Sequence, residues 1–218
     1  MFEDIKWQSK DQQVTFRHRA ALALIGSPAR PGLKILDLGC GDGLFLQLLK
    51  EARGIDGMGV DFSREAAAKA AKRGVKIKVH NIAQLPLPFP NGSFDCVVLL
   101  DVLEHLYFPE ALLGEAVRIS REDIIISVPN FNHLKARWQM LWGKVPENNV
   151  PKKGHVYWFN HRGLQQLLKK NGLRVADLQL NTYWENVSLL GWFIKILAKL
   201  FPSVFALSFV IMAEKSRP

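Results

Sequence analysis

The chain has 218 residues, 48% hydrophobic and 22% charged, with two cysteines, Cys40 and Cys96. This composition suits one well-buried core, is short for two independent domains, and excludes a disulfide-stapled scaffold; two lone cysteines point to a reducing compartment. The net charge of +9 is lopsided, because residues 1–131 hold 16 basic and 16 acidic residues while residues 132–218 hold 13 and 4. A basic C-terminal part suits an acidic substrate or an anionic lipid surface, and the lack of any RNP, KH or helix-turn-helix signature ranks nucleic acid last.

The N-terminus, Met1-Phe2-Glu3-Asp4-Ile5-Lys6, lacks the apolar core of a signal peptide, so a cytoplasmic protein is expected. Residues 10–25 carry Phe16, Ala20, Ala23 and Leu24 at helical spacing, and Ser27-Pro28 with Pro31-Gly32 ends that helix. Arg17, His18 and Arg19 read as its solvated face. The run 33–38 then predicts a buried strand, followed by a glycine turn and a helix over 42–53 whose Leu44, Phe45, Leu48 and Leu49 face a sheet.

Gly54 stops that helix, and a second strand over 57–61 ends on Asp61. Ser63 can cap the alanine-rich helix 65–72, and 75–79 alternates as a third strand. Pro86, Pro88, Pro90 and Asn91-Gly92 make 81–93 a loop. A fourth strand over 94–100, a helix over 109–119 and a fifth strand over 124–128 complete a regular β/α alternation, which predicts a parallel sheet.

The rhythm breaks at Pro129. A short helix over 133–142, a polar loop over 143–154, a helix over 161–171 and a strand over 173–180 follow. The stretch 187–200 is nearly all apolar, with Ser188, Gly191, Lys195 and Lys199 as a thin polar stripe, and 204–213 reads as a last strand apolar on both faces. Lys195, Lys199, Pro202 and Ser203 interrupt the run short of the ~20 apolar residues a spanning helix needs. Helix 187–200 is therefore either core or a peripheral membrane contact with snorkelling lysines, at the inner face of the membrane.

The chemistry concentrates around Leu33 to Gly43. Gly39, Gly41 and Gly43 let a ligand lie against bare main chain, and the free N–H groups opening the next helix face the same point. Asp37 sits at the carboxyl end of the strand, where open α/β sheets hold ligands, and its carboxylate favours an ammonium group. Asp61, twenty positions after Gly41, can accept both hydroxyls of a ribose. Asn81-Ile82 pairs an amide with an apolar cover for an adenine edge. Both a dinucleotide and S-adenosylmethionine (SAM) carry an adenosine. Leu44 occupies the last glycine position of the dinucleotide pattern G-x-G-x-x-G, and Asp37 would repel a pyrophosphate, so a nicotinamide-dependent oxidoreductase is the weaker reading. The expected cofactor contacts are Asp37, Gly39, Cys40, Gly41, Gly43, Asp61, Phe62, Asn81, Ile82, Leu100 and His105.

Ile35-Leu36-Asp37-Leu38-Gly39-Cys40-Gly41-Asp42-Gly43, Gly59-Val60-Asp61, Leu85-Pro86-Leu87-Pro88-Phe89, Gly92-Ser93-Phe94-Asp95 and Glu104-His105-Leu106 together resemble the class I SAM-dependent methyltransferases over roughly residues 30–130. That resemblance implies a Rossmann-like α/β fold: a seven-stranded, mostly parallel sheet with an antiparallel last strand and helices on both faces. The family usually has Asp where this chain has Asn81. The expected organisation is one domain over 1–218, with a helical lid at 1–32, a cofactor core at 33–129 and an acceptor-side insertion with the final strands at 130–218.

Val128-Pro129-Asn130-Phe131-Asn132-His133, the helix Lys135-Ala136-Arg137-Trp138-Gln139-Met140-Leu141 and His155 resemble the MetW family, which implies a partner role beside an acyltransferase in homoserine acylation. Glu104-His105 departs from that family and looks more like methyltransferases acting on quinones, lipids and sugars. Methyl transfer needs alignment first and a base only where the acceptor must lose a proton. His105 and His155 are the catalytic candidates. The alternatives for His105 are packing against the sulfonium end and a histidine bonded to backbone; His155 opens a segment that the fold would place over the acceptor pocket. His133 is a weaker candidate, and Glu104 reads as neutralising a basic neighbour or capping the turn. Trp7, Trp138, Trp142 and Trp158 suit an acceptor pocket or the core. No C-x-x-C or H-E-x-x-H spacing occurs, so no metal is expected. The implied activity is methyl transfer from SAM to a small-molecule or lipid-linked, anionic acceptor.

Overall fold

Strand β1 (Ile35–Leu38) is buried at every position. A computed structural model describes residues 12–26, 32–183 and 188–216, except the side chains of residues 152 and 188–190. In it β1 pairs in parallel with β2 (Met58–Asp61) on one side and β4 (Phe94–Leu100) on the other, so Asp37 stands opposite Gly59 and Val98. Strand β3 (Lys76–Val79) continues the parallel pairing beyond β2. With β5 (Ser120–Pro129), β6 (Leu173–Thr182) and β7 (Ala206–Lys215), the order of the seven-stranded sheet is β3-β2-β1-β4-β5-β7-β6. The order reverses direction between β1 and β4. In open α/β sheets the crevice outside the carboxyl ends at such a reversal takes the ligand.

The chain divides into two compact units. The first holds the described residues up to Leu100 together with 111–125, and the second holds 101–110 and the described residues from 126 onward. In the first unit, helix α1 (Phe16–Leu24) precedes β1; residues 10–11 and 27–31 of the expected helix and its stop lie outside the described residues. Helix α2 (Leu44–Arg53) opens after Gly43 and closes at Gly54, both left-handed, with φ of 75° and 66°. It buries Leu44, Phe45, Leu46 and Leu49, so Leu46 takes the place expected for Leu48. Ser63 caps α3 (Arg64–Lys72) as its sequence predicts, its hydroxyl accepting the Ala66 N–H at 3.2 Å.

The loop before β4 is pinned by α4 (Pro109–Ile119). From α4, Arg118 donates to the carbonyls of Leu87 and Phe89 and to Asn91 Oδ1, while Glu115 accepts the Leu87 N–H. Strand β5 begins four residues before its apolar run. Its polar start is held extended by Ser120 Oγ on the Asp123 carbonyl and by Arg121 on Gly92 and Asp95, contacts that alternation does not reveal.

In the second unit β6 and β7 run antiparallel, from Leu173 opposite Lys215 to Thr182 opposite Ala206. Phe209, Val210 and Ile211 are buried consecutively, so β7 is covered on both faces. It starts at Ala206 rather than 204 because Pro202 opens a single turn, α8 (Pro202–Phe205). Asn130 clamps that turn: its Nδ2 donates to the Ala206 carbonyl at 2.7 Å and the Ser203 carbonyl at 3.1 Å, and its N–H donates to the Leu207 carbonyl at 2.9 Å. Helix α5 (Leu134–Leu141) is capped by His133, and α6 (His161–Lys170) buries Leu164, Leu167 and Leu168.

Helix α7 (Ser188–Leu200) corrects the expected polar stripe, since Gly191 lies on its buried side with Ile194 and Ala198. The opposite side exposes Trp192 and Phe193 together with Lys195 and Lys199. Residue 187 lies outside the described residues. Among the described residues no helix is long and apolar enough to cross a membrane.

Candidate active site

The end of β1 turns through Gly39 and Gly41, with φ of 76° and 55°, a conformation that costs residues with a Cβ. The turn is tied to β2: the N–H groups of Gly39 and Cys40 both donate to the Val60 carbonyl, at 2.8 and 3.1 Å. Asp61 closes it from the side. Its Oδ2 accepts the Gly41 N–H and its Oδ1 the Ser63 N–H, each at 2.9 Å. A carboxylate has about four lone-pair positions, which suits it to accept several donors at once.

Asp37 is the strongly perturbed acid of this turn. It is buried, and its Oδ1 has no hydrogen-bond partner among the described residues. Burial, then the neighbouring Asp61 charge, push its pKa up to about 7, and the positive charge of Arg17 opposes them. A carboxylate at that cost calls for a cation.

Arg17 and His18 therefore correct the solvated-face reading. His18 is buried, and its Nδ1 accepts the Thr15 N–H at 3.0 Å within a capping box. Arg17 lies at i, i+3, i+4 and i+7 from the buried Ala20, Ala21 and Leu24, a spacing that places it at the edge of the apolar stripe. Asp42, absent from the expected set, is fully buried. Its Oδ2 accepts Arg73 Nη2 and the Gln12 N–H, both at 3.0 Å, and its Oδ1 accepts the Leu44 N–H at 3.2 Å. The signal for it is the unpaired acid in an otherwise apolar turn-to-helix segment.

Cys40 turns its side chain into the core. A Cβ on Gly59 would stand 2.4 Å from the Cys40 sulfur, so Gly59 is what makes room for it. Burial, then the Asp37 and Asp61 charges, hold its thiol protonated. Asn81 is exposed and makes an Asx turn, its Oδ1 accepting the Ala83 N–H at 3.0 Å, which leaves the amide N–H2 as the end that can meet a base. Phe62 beside Asp61 is exposed, Ile82 is half-buried, and Leu100 ends β4 in the core. The expected cofactor residues other than His105 thus all belong to the first unit.

The second unit brings His105 and His155 together, their ring centroids 5.0 Å apart, beside the buried Glu104. Burial, then the neighbouring His105, lower the pKa of His155 and keep it neutral. His133 is structural: its Nδ1 accepts the Ala136 N–H at 3.2 Å and lies 2.7 Å from the Tyr183 hydroxyl. Trp138, Trp142 and Trp158 are exposed rather than core, and Trp7 lies outside the described residues.

A sheet of this order, with a glycine turn after its first strand and an acid ending its second, is the fold of the class I SAM-dependent methyltransferases. The magnesium protoporphyrin IX methyltransferase of Synechocystis PCC 6803, crystallised with bound SAH, superposes with a TM-score of 0.66 at 20% identity, over 99% of this chain and 94% of that one. The family of methionine biosynthesis protein MetW matches residues 19–178, and the chain belongs to it. The match takes in the glycine turn and Asp61 as well as the second half as far as residue 178.

A demethylmenaquinone methyltransferase of Thermus thermophilus is 34% identical over 121 residues, 53% of this chain and 50% of that protein. A bifunctional methionine biosynthesis protein MetXA/MetW of Rhodopirellula baltica is 31% identical over 138 residues, 59% of this chain and 22% of that protein. The chain spans half or less of the length of both relatives.

Proposed function

We propose that this chain is a SAM-dependent methyltransferase acting on a small-molecule or lipid-linked acceptor, with the first unit holding the cofactor. The observation that carries this reading is the buried Asp37 oxygen without a partner among the described residues, at the mouth of a bare-backbone turn. The residues fit the cofactor. Asp37 would hold the ammonium of its amino-acid end, and the turn Gly39–Gly43 would admit that end against main chain. Asp61 would take the ribose hydroxyls, and Phe62, Asn81 and Ile82 would surround the base. SAM supplies an electrophilic methyl group on a sulfonium, so the chain's own task is to align an acceptor and exclude water.

The relative acting on demethylmenaquinone supports a lipid-linked acceptor. The exposed Trp192 and Phe193 beside Lys195 and Lys199 on α7 support contact with an anionic membrane surface while such an acceptor is handled. The test is calorimetry with SAM and SAH, followed by transfer of labelled methyl from SAM into a lipid extract. One molecule of SAH bound per chain, lost in Asp37→Asn, is the expected result; no binding of either nucleoside refutes the reading.

A second reading has its own support. In the Rhodopirellula baltica relative, MetXA and MetW share one polypeptide, so this chain would assist a homoserine acyltransferase. It would present the exposed Trp138, Leu141 and Trp142 of α5 and its end to that partner. Co-purification with the acyltransferase, and acylation that survives Asp37→Asn, would favour this role over methyl transfer.

A further inference from the structure

Glu104, His105 and His155 place a carboxylate oxygen and two imidazole nitrogens within 4.8 Å of one another. The backbone builds this cluster. Asp101 adopts a left-handed φ of 55° at the end of β4, and the 3-10 turn Leu103–His105 follows. The Glu104 carbonyl accepts the N–H groups of Val156 and Tyr157, at 2.9 and 3.0 Å, which fastens the segment carrying His155 to the turn carrying the other two. Gly154, left-handed at φ 68°, lets the chain enter that segment; a Cβ there would stand 3.6 Å from His105 Nδ1.

The ring nitrogens of His105 are already sorted. His105 Nδ1 lies 3.1 Å from the Gly154 carbonyl oxygen. A carbonyl has no proton to give, so Nδ1 carries the hydrogen and Nε2 presents its lone pair. His155 lies near the backbone of Asn148, an interaction that favours its charged form but is outweighed by burial and by His105. A ligating histidine is oriented in the manner of His105, with its second N–H given to a carbonyl or carboxylate.

We propose that Glu104, His105 and His155 form a site for a divalent first-row transition cation, with Zn2+ the preferred occupant. Two imidazoles and one carboxylate are a set that zinc accepts with a coordination position left open for water or an oxygen ligand. Tetrahedral ligand atoms at zinc stand about 3.4 Å apart, so the widest pair closes by up to about 1.4 Å on binding. The site departs from the expectation of no metal and replaces the proton-accepting role of the two histidines. A bound cation would instead lower the pKa of a coordinated hydroxyl. Nothing in it depends on the cofactor reading of the first unit.

The test is made on the whole untagged chain, stripped with chelator and titrated with Co2+. One equivalent is expected to produce visible d–d absorption, to be displaced by Zn2+, and to raise the melting temperature, while millimolar Mg2+ does neither. His105→Gln and His155→Gln, each with the parent's circular dichroism, are expected to weaken Zn2+ binding more than about 100-fold, since loss of an outer partner alone costs 10–100-fold. Glu104 is buried, so Glu104→Gln is read beside them rather than alone. Absence of the Co2+ spectrum, or a spectrum unchanged in both histidine variants, overturns the proposal and leaves the cluster a hydrogen-bonded carboxylate–imidazole packing.

Discussion

Titration of Asp37 across neutrality ties solution pH to the binding of an amino-acid cation. With a pKa of about 7 in the free protein, Asp37 is roughly nine-tenths ionised at pH 8, half at pH 7 and one-tenth at pH 6. If only the carboxylate accepts the ligand's ammonium, the apparent Kd for SAH rises about tenfold from pH 8 to pH 6, or about 1.4 kcal/mol. At pH 7 roughly half a proton leaves for each ligand bound. Calorimetry in two buffers of different ionisation enthalpy reads that proton directly. An affinity flat from pH 6 to 8, with no buffer dependence, refutes the reasoning.

The same group acts on stability with the opposite sign from a salt-bridged acid. Unfolded, it titrates near 3.8; folded, it keeps its proton up to about 7. The native state therefore binds more protons between those values, and stability falls as pH rises through that window. Above it the burial cost is fully present, about 4 kcal/mol. Asp37→Asn is expected to melt higher than the parent at pH 8 and alongside it at pH 4.

Asp61→Asn removes one anionic acceptor from the ribose and one from the turn; SAH affinity is expected to fall about tenfold or more in calorimetry. Arg73→Met leaves the buried Asp42 carboxylate without its 3.0 Å partner, and chemical denaturation is expected to show a loss of about 3 kcal/mol. Glu115 is held below its usual pKa first by the Arg118 hydrogen bond, so that stability is present above its unfolded value and lost as pH falls through the folded one. Arg118→Met is accordingly expected to lower the melting temperature at pH 7 by more than it does near pH 3. Full chain is expected to sediment with phosphatidylglycerol vesicles and not with phosphatidylcholine vesicles. Reversing Lys195 and Lys199 to Glu is expected to cut that binding more than tenfold at low salt, at about 1 kcal/mol per cation.

The sheet and the helices that cover it were legible because apolar runs and glycine stops mark their elements directly: strand 94–100 and helix 109–119 are found with the expected bounds. The placement of the residues proposed to hold the cofactor was legible for the same reason, each lying at or just past a strand end. Side-chain partners across long separations were not. Arg17 looks like a surface residue until the Asp37 charge beside it is known, and the Asp42–Arg73 pair joins positions 31 apart. Glu104, His105 and His155 show no metal-ligand spacing because the third ligand arrives 50 residues later, on a loop fastened by main-chain bonds. Hydrophobic periodicity placed α7 correctly and mistook its faces, because Gly191 counts as polar yet offers the least side chain to keep two elements apart.

Asn130 belongs to the stretch by which the second half resembles its family, yet its amide is spent on the main chain at both ends, toward Asn132 and toward the turn at 202–206. Random mutagenesis scored by turnover would flag this position as essential and mislead anyone seeking chemistry there. The telling signature is in the amount of protein recovered: an aspartate there would set a negative charge against several carbonyl oxygens, so the chain would be cleared before any activity could be assayed.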